Sequence, residues 1–191
     1  HFEDYIIKNN NTLHPNYTKI YDKLPDDINN LNNIILYGPK GIGKYTQALN
    51  IINKYSLSGL KYEKKINIVY NKKNYYFKIS DIHFEIDMSL LGCTSKLLWE
   101  QIFNNIIDII NTKKYKIGII LCKNFHEINN DLLDIFYSYM QTYLNNNIKI
   151  IFFIITEAIS FIPDNIINVC ELFKYSRPSR NKYNKTLNIL L

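Results

Sequence analysis

Apolar positions along the chain recur with two periods. Ile34-Ile35-Leu36-Tyr37 is an unbroken apolar run between an Asn pair and a glycine, the pattern of a short strand covered on both faces. A helical pattern follows from about Gly43 to Tyr55. Ile66–Tyr70 and Tyr75–Ile79 flank the turn Asn71-Lys72-Lys73-Asn74 and predict a hairpin, and His83–Asp87 predicts another strand. From Ser95 to Ile110 the apolar positions 98, 99, 102, 103, 106, 107 and 110 keep a helical spacing, and the apolar strand Ile117–Leu121 comes next. A second helix is expected over Asp131–Leu144, capped by Asn129 or Asn130, with Leu132, Leu133, Phe136, Met140 and Tyr143 on one face. Ile150–Ile155 reads as the most hydrophobic strand. Pro163–Asn168 reads as a short helix with Pro in its first turn, Cys170–Lys174 as a last strand, and Ser179 onward as a terminal helix.

Strands alternating with helices, the strands apolar throughout, predict one α/β domain: a parallel five-stranded sheet with helices on both faces and an inserted β-hairpin. The domain is expected over residues 32–176. Residues 1–31, broken by Asn9–Asn11, His14-Pro15 and Pro25-Asp26-Asp27, read as an irregular lead-in with a short helix near its end. Trp99 falls at helical spacing and is expected in the core rather than on a base-stacking surface.

Composition changes how far these signals carry. With 191 residues and 47% of them hydrophobic, the chain can bury a substantial core as one domain. Its apolar residues are mainly Ile, Tyr and Phe and its polar ones mainly Asn and Lys, a bias toward A/T-rich codons. The bias raises strand and turn propensity everywhere, so hydrophobic period outweighs composition. The net charge of +6 favours an anionic partner, yet the lysines are scattered through Lys61–Lys65, Lys72-Lys73 and Lys113-Lys114, and solvated surface lysine is the plainer reading. Cys93, Cys122 and Cys170 lack the paired spacing of a zinc site or a disulfide framework, which suggests reduced thiols and an intracellular location, nuclear or cytoplasmic. No run reaches the length of a membrane span, and no membrane partner is expected. The chain opens on His rather than Met and reads as a fragment.

The chemistry concentrates in one loop. Gly38-Pro39-Lys40-Gly41-Ile42-Gly43-Lys44 matches seven positions of the P-loop pattern, in which glycines let backbone N–H groups curl around phosphates at a helix N-terminus and the lysine adds a point charge. A strand precedes it and a helix follows, as that role requires. Three of the chain's 6 glycines lie in the loop, which argues against a chance turn. The expected site is Gly38, Pro39, Lys40, Gly41, Ile42, Gly43, Lys44, Tyr45 and Thr46, with ATP or ADP as ligand. Tyr45 stands where a Ser or Thr hydroxyl would ligate Mg²⁺, with Thr46 immediately after, so Mg²⁺ is not expected to be well held.

Hydrolysis needs carboxylates at the end of a neighbouring strand. Ile117–Leu121 should be that strand, yet it runs into Cys122-Lys123-Asn124-Phe125, and the nearest acids along the chain are Glu127 and Asp131. Lys123 could place a second ammonium near the phosphates, although a solvent-exposed lysine beside a buried Cys122 is the plainer reading. The chain has only two arginines, Arg177 and Arg180.

From Asn33 to Ser179 these residues resemble the small subunits of replication factor C, AAA+ proteins that load the sliding clamp onto DNA. Leu36–Lys44 resembles the family's P-loop strand, and Phe153–Cys170 its sensor strand and the short helix ending in an Arg-Cys pair, which here reads Val169-Cys170. The resemblance places Thr156 and Glu157 at the polar sensor, and these join Lys123, read from its charge, as accessory residues. It reads 177–191 as the start of a helical lid whose remainder and collar are missing. It implies an ATP-binding subunit deficient in hydrolysis, without a catalytic residue, assembled with other clamp-loader-like subunits, with sliding clamp and primer-template DNA as further partners. The codon bias adds a large DNA virus or an A/T-rich protist as source. Two other classes stay open: an active NTPase or kinase using Glu127, Asp131 or Glu157, and an interaction protein whose P-loop is a relic.

Overall fold

A computed structural model describes residues 1–7, 14, 17, 21–141, 148–181 and 184. Seven strands form one sheet: β1 (Asn33–Tyr37), β2 (Lys64–Tyr70), β3 (Lys73–Ile79), β4 (His83–Asp87), β5 (Ile117–Lys123), β6 (Lys149–Thr156) and β7 (Cys170–Lys174). Their order is β2-β3-β4-β5-β6-β1-β7. The five strands β4-β5-β6-β1-β7 are mutually parallel, as expected. The hairpin is not a separate appendage. β3 pairs antiparallel with β4 through Lys78↔Glu85 and Ile79↔Phe84, so the hairpin widens the five-stranded sheet to seven.

Alternation along each central strand explains why both faces are covered. Ile35, Ile120, Cys122, Phe152 and Ile154 point to one face and pack with Trp99, Phe103 and Phe136 of helices α3 (Ser95–Thr112) and α4 (Asn130–Gln141). Their neighbours Ile34, Leu36, Ile119, Leu121, Ile151 and Phe153 point to the other and meet Ala48, Leu49, Ile51 and Ile52 of α2 (Lys44–Asn53). A run with no polar interruption is what such a strand requires. Trp99 is fully buried, tilted against Phe136 at 5.2 Å between ring centroids, which confirms its core placement.

Several boundaries move for physical reasons. The hairpin turn is two residues rather than four: Asn71 and Lys72 take φ of 49° and 61°, and Lys73 and Asn74 already pair within β3. Two left-handed residues match the twist of the flanking strands. Lys72 carries a Cβ where glycine is preferred, so Lys72→Gly is expected to stabilise the protein by about 1 kcal/mol, read as a higher denaturation midpoint with unchanged slope. Pro163 is the N-cap of α5 (Asp164–Ile167) rather than a first-turn residue. Asn129 caps α4 by accepting from the Asp131 N–H at 2.9 Å. Residues 142–144, expected to complete that helix, lie outside the described residues. Arg180, Asn181 and Asn184 are helical, Ser179, expected to start the terminal helix, is not, and the remaining positions of that helix lie outside the described residues.

The start of the chain holds an element the pattern did not announce, α1 (Phe2–Ile7). Phe2 is fully buried, with its ring 4.6 Å from that of His83 and the Lys78 ammonium 5.2 Å from its centroid. Phe2, Leu24 and Leu31 join the same core cluster as β1 and α2. The expected short helix near the end of the lead-in is a 3-10 turn over Ile28–Asn30, started by Asp27 accepting from the Asn29 N–H at 2.8 Å. No helix among the described residues is long and apolar enough to cross a membrane.

Candidate nucleotide-binding site

The parallel strands end together at one edge of the sheet, and the loop 38–44 leaves β1 there. Gly38 donates its N–H to Thr156 O at 3.3 Å. Gly41 and Gly43 have φ of 75° and 87°, left-handed values that glycine accepts without penalty. Gly43 is the N-cap of α2 and its carbonyl accepts from Gln47, so helix and loop form one continuous turn with N–H groups at its open end. Ile42 is buried and anchors the loop in the core, whereas Lys40 stands exposed. The Lys44 ammonium donates to Gly38 O and Pro39 O, both at 2.6 Å, across the mouth of the loop. Burial pushes its pKa down, and the charge of Glu157 acts in the opposite direction.

Tyr45 follows on the first turn of α2 and turns aside. Its hydroxyl donates to Glu85 Oε2 at 2.6 Å, and Lys123 pairs with Glu85 Oε1 at 2.9 Å. The Lys123 ammonium also lies 5.1 Å from the centroid of the Tyr45 ring, a cation–π distance. Burial, then the adjoining Glu85 carboxylate, push the Tyr45 phenol up. Strand register creates this group: Glu85 pairs with Leu121 and Asp87 with Lys123 on adjacent parallel strands. Asp87 is committed elsewhere, accepting from Asn124 Nδ2 at 2.9 and 3.1 Å and from the Ser89 hydroxyl at 2.6 Å.

Two expectations change here. The carboxylates that the side chains at the end of β5 meet are Glu85 and Asp87, one strand over, and not Glu127 and Asp131, the nearest along the chain. Lys123 is a half-buried partner in an ion pair and not a free surface lysine. Cys122 is buried, as expected, and burial pushes its thiol up. The periodic pattern could have marked Glu85, a charged residue inside an otherwise apolar strand, but only the pairing of β4 with β5 shows what it meets.

Magnesium beside a P-loop needs a hydroxyl oxygen and carboxylates with oxygens to spare. Here a bulky phenol bonded to Glu85 stands in place of the short hydroxyl, Glu85 is paired with Lys123, and that ammonium takes the position of the strand-end acid. Thr46 is half-buried one residue further round the helix. The residues present do not fit the metal. Among the described residues, no cluster of His, Cys, Asp and Glu is suited to holding one.

Thr156 ends β6 beside β1, and Glu157 follows it in the loop. Thr156 is buried and its hydroxyl donates to Ala158 O at 2.7 Å, closing the strand end on itself. Glu157 lies 3.6 Å from His126 Nε2, which is 3.7 Å from Glu127. Of the three accessory residues, Glu157 is therefore the one whose charge reaches Lys44, while Lys123 is directed to Glu85. His126 was not foreseen. On the opposite flank, the lead-in straps the loop: His14 Nε2 bonds Ile42 O at 2.8 Å, and Tyr17 stacks on Tyr175 at 4.4 Å. The Tyr21 hydroxyl donates to Gln47 Oε1 at 2.9 Å and also bonds the Tyr175 hydroxyl.

A strand, a glycine loop with an inward lysine and a helix, set at the carboxyl ends of a parallel sheet, define a P-loop NTPase fold. Solved structures share this fold at low sequence identity. C. elegans PCH-2 superposes with a TM-score of 0.52 at 13% identity, over 86% of this chain and 41% of that one. The Thermotoga maritima RuvB Holliday junction branch migration motor gives 0.51 at 13% identity, over 95% of this chain and 48% of that one. A chain of the E. coli MS115-1 HORMA:CdnC:Trip13 complex gives 0.57 at 13% identity, over 100% of this chain and 67% of that one. The chain thus spans less than half the length of PCH-2 or RuvB. No family model and no curated protein matches it.

Proposed function

We propose that this chain binds ATP or ADP at Gly38–Thr46 and hydrolyses it weakly or not at all, serving as a clamp-loader-like subunit of a multi-subunit assembly in DNA replication, in the nucleus or cytoplasm. One observation carries the nucleotide part: Lys44 is drawn in over a glycine loop of P-loop shape, while the adjoining strand ends in Lys123 where hydrolysis needs an acid. The loader role rests on the resemblance of Asn33–Ser179, with other loader-like subunits, the sliding clamp and primer-template DNA as partners. The comparison with a chain taken from a complex agrees with life in an assembly.

A second reading has its own support in Glu157, whose charge reaches Lys44 and which sits beside His126, so that it could polarise a water at the terminal phosphate. One experiment separates the two. ATP or ADP at a hundredfold over its dissociation constant is expected to stabilise the wild-type protein by about 2.7 kcal/mol and Lys44→Ala not at all, without phosphate release. Steady phosphate release that Glu157→Gln abolishes establishes the second reading instead, and no stabilisation by any nucleotide leaves the P-loop a relic.

A further inference from the structure

We propose that Lys123 is a built-in replacement for the divalent cation, so that this chain takes nucleotide free of metal and binds it less well when Mg²⁺ is added. The inference rests on the nucleotide reading above and concerns which form of the ligand the site accepts. Three observations converge on it. Tyr45 follows the P-loop lysine directly, and its hydroxyl is bonded to Glu85. Lys123 ends β5, one strand from Glu85, and puts a positive charge where a metal-binding carboxylate would stand. The Tyr45 ring then confines that charge from one side at 5.1 Å.

Electrostatics sets the sign of the effect. A polyphosphate in the loop needs positive charge on its outer oxygens, and Lys44 supplies one. An ammonium has three donors; Glu85 accepts from one, and the Lys123 side chain is 29% exposed, leaving donors for an anionic oxygen. A divalent ion brought to the same oxygens would be repelled by this ammonium, a repulsion that water screens poorly at a half-buried site. It would also have to compete with Lys123 for Glu85, the carboxylate that this ammonium already pairs with. Lysine and metal therefore exclude each other.

Calorimetric titration of ADP and ATP into the whole chain, in EDTA and in excess Mg²⁺, tests this directly. The wild type is expected to bind at least as tightly in EDTA, with added Mg²⁺ weakening binding several-fold. Lys123→Gln paired with Glu85→Gln, which keeps a neutral hydrogen-bonded pair, should weaken metal-free binding about tenfold or more, the worth of one charge-assisted hydrogen bond, while circular dichroism reports an intact fold. Tyr45→Thr combined with Lys123→Asp should reverse the preference and make binding depend on Mg²⁺. Wild-type binding that requires Mg²⁺ overturns the inference while leaving the nucleotide reading in place. Absence of binding in both buffers, with Lys44→Ala indistinguishable from wild type, removes the nucleotide reading and this inference with it.

Discussion

Lowering the pH from 7 to 5 is expected to cost the folded protein about 2 kcal/mol, because His83 is held neutral. The residue is fully buried, its Nδ1 bonded to the Ser80 hydroxyl at 2.6 Å, its ring against Phe2, and its Nε2 without a hydrogen-bond partner. Burial holds its pKa down at about 3, opposed by Asp81 and Glu63 and assisted by Lys113. In the unfolded chain a histidine titrates near 6.5. The contribution is thus complete above that pH and falls by about 1.4 kcal/mol for each unit below it, down to the folded pKa. Asp81 and Glu63, whose pKa values are lowered in the fold, add their own losses only below the ordinary carboxylate range. Urea unfolding at pH 7, 6 and 5 measures the slope, and His83→Asn should flatten it even though the variant is less stable throughout. An equal slope in both proteins assigns the acid sensitivity elsewhere.

Gly38→Ala should lower stability by about 3 kcal/mol in the absence of any nucleotide. Gly38 has φ of 147°, a value that side chains rarely tolerate, and a Cβ there would run into the carbonyl oxygen of Tyr175. Tyr175 cannot yield cheaply. It is buried, stacked on Tyr17, and its N–H donates to Tyr37 O at 2.8 Å. Gly41 supplies the control, since it is also left-handed but has nothing within 4 Å of where its Cβ would stand. Gly41→Ala should therefore cost only backbone strain, about 1 kcal/mol. Comparable losses in the two variants, measured by denaturant midpoint, would mean that crowding against Tyr175 contributes nothing.

Much of this arrangement was legible in the residues because the physics is local. Ile34–Tyr37 and Cys170–Lys174 announce strands by composition and punctuation, and 95–110 announces a helix by its spacing. The P-loop needs only a glycine sequence in the right context. Strands that prove longer than expected do so at polar ends: Lys123, Lys149 and Thr156 are held in the sheet by register with β4, β5 and β1. Such pairing is invisible from the strand itself. The same holds for the meeting of Tyr45, Glu85 and Lys123, which are far apart in sequence and are brought together by β4 lying next to β5. The helix Phe2–Ile7 escaped because it is short and its signal is the burial of Phe2 against His83, a contact with a residue far along the chain.

The place of β1 in the sheet carries a further consequence, for the order in which the protein comes together on the ribosome. β1 emerges well before β6 and β7, yet Ile34 lies between Phe153 on one side and Glu171 on the other. Both of its hydrogen-bonding edges must therefore wait for segments synthesised much later, and the loss of chain entropy on closing such long loops comes before any contact rewards it. Until β6 and β7 arrive, Gly38 lacks Thr156 and Tyr175, and the phosphate loop has no frame. A nascent chain that stopped short of those strands would present an unpaired apolar strand and an unframed phosphate loop, which makes the interval between the synthesis of β1 and that of β7 the one in which chaperones matter most to this domain.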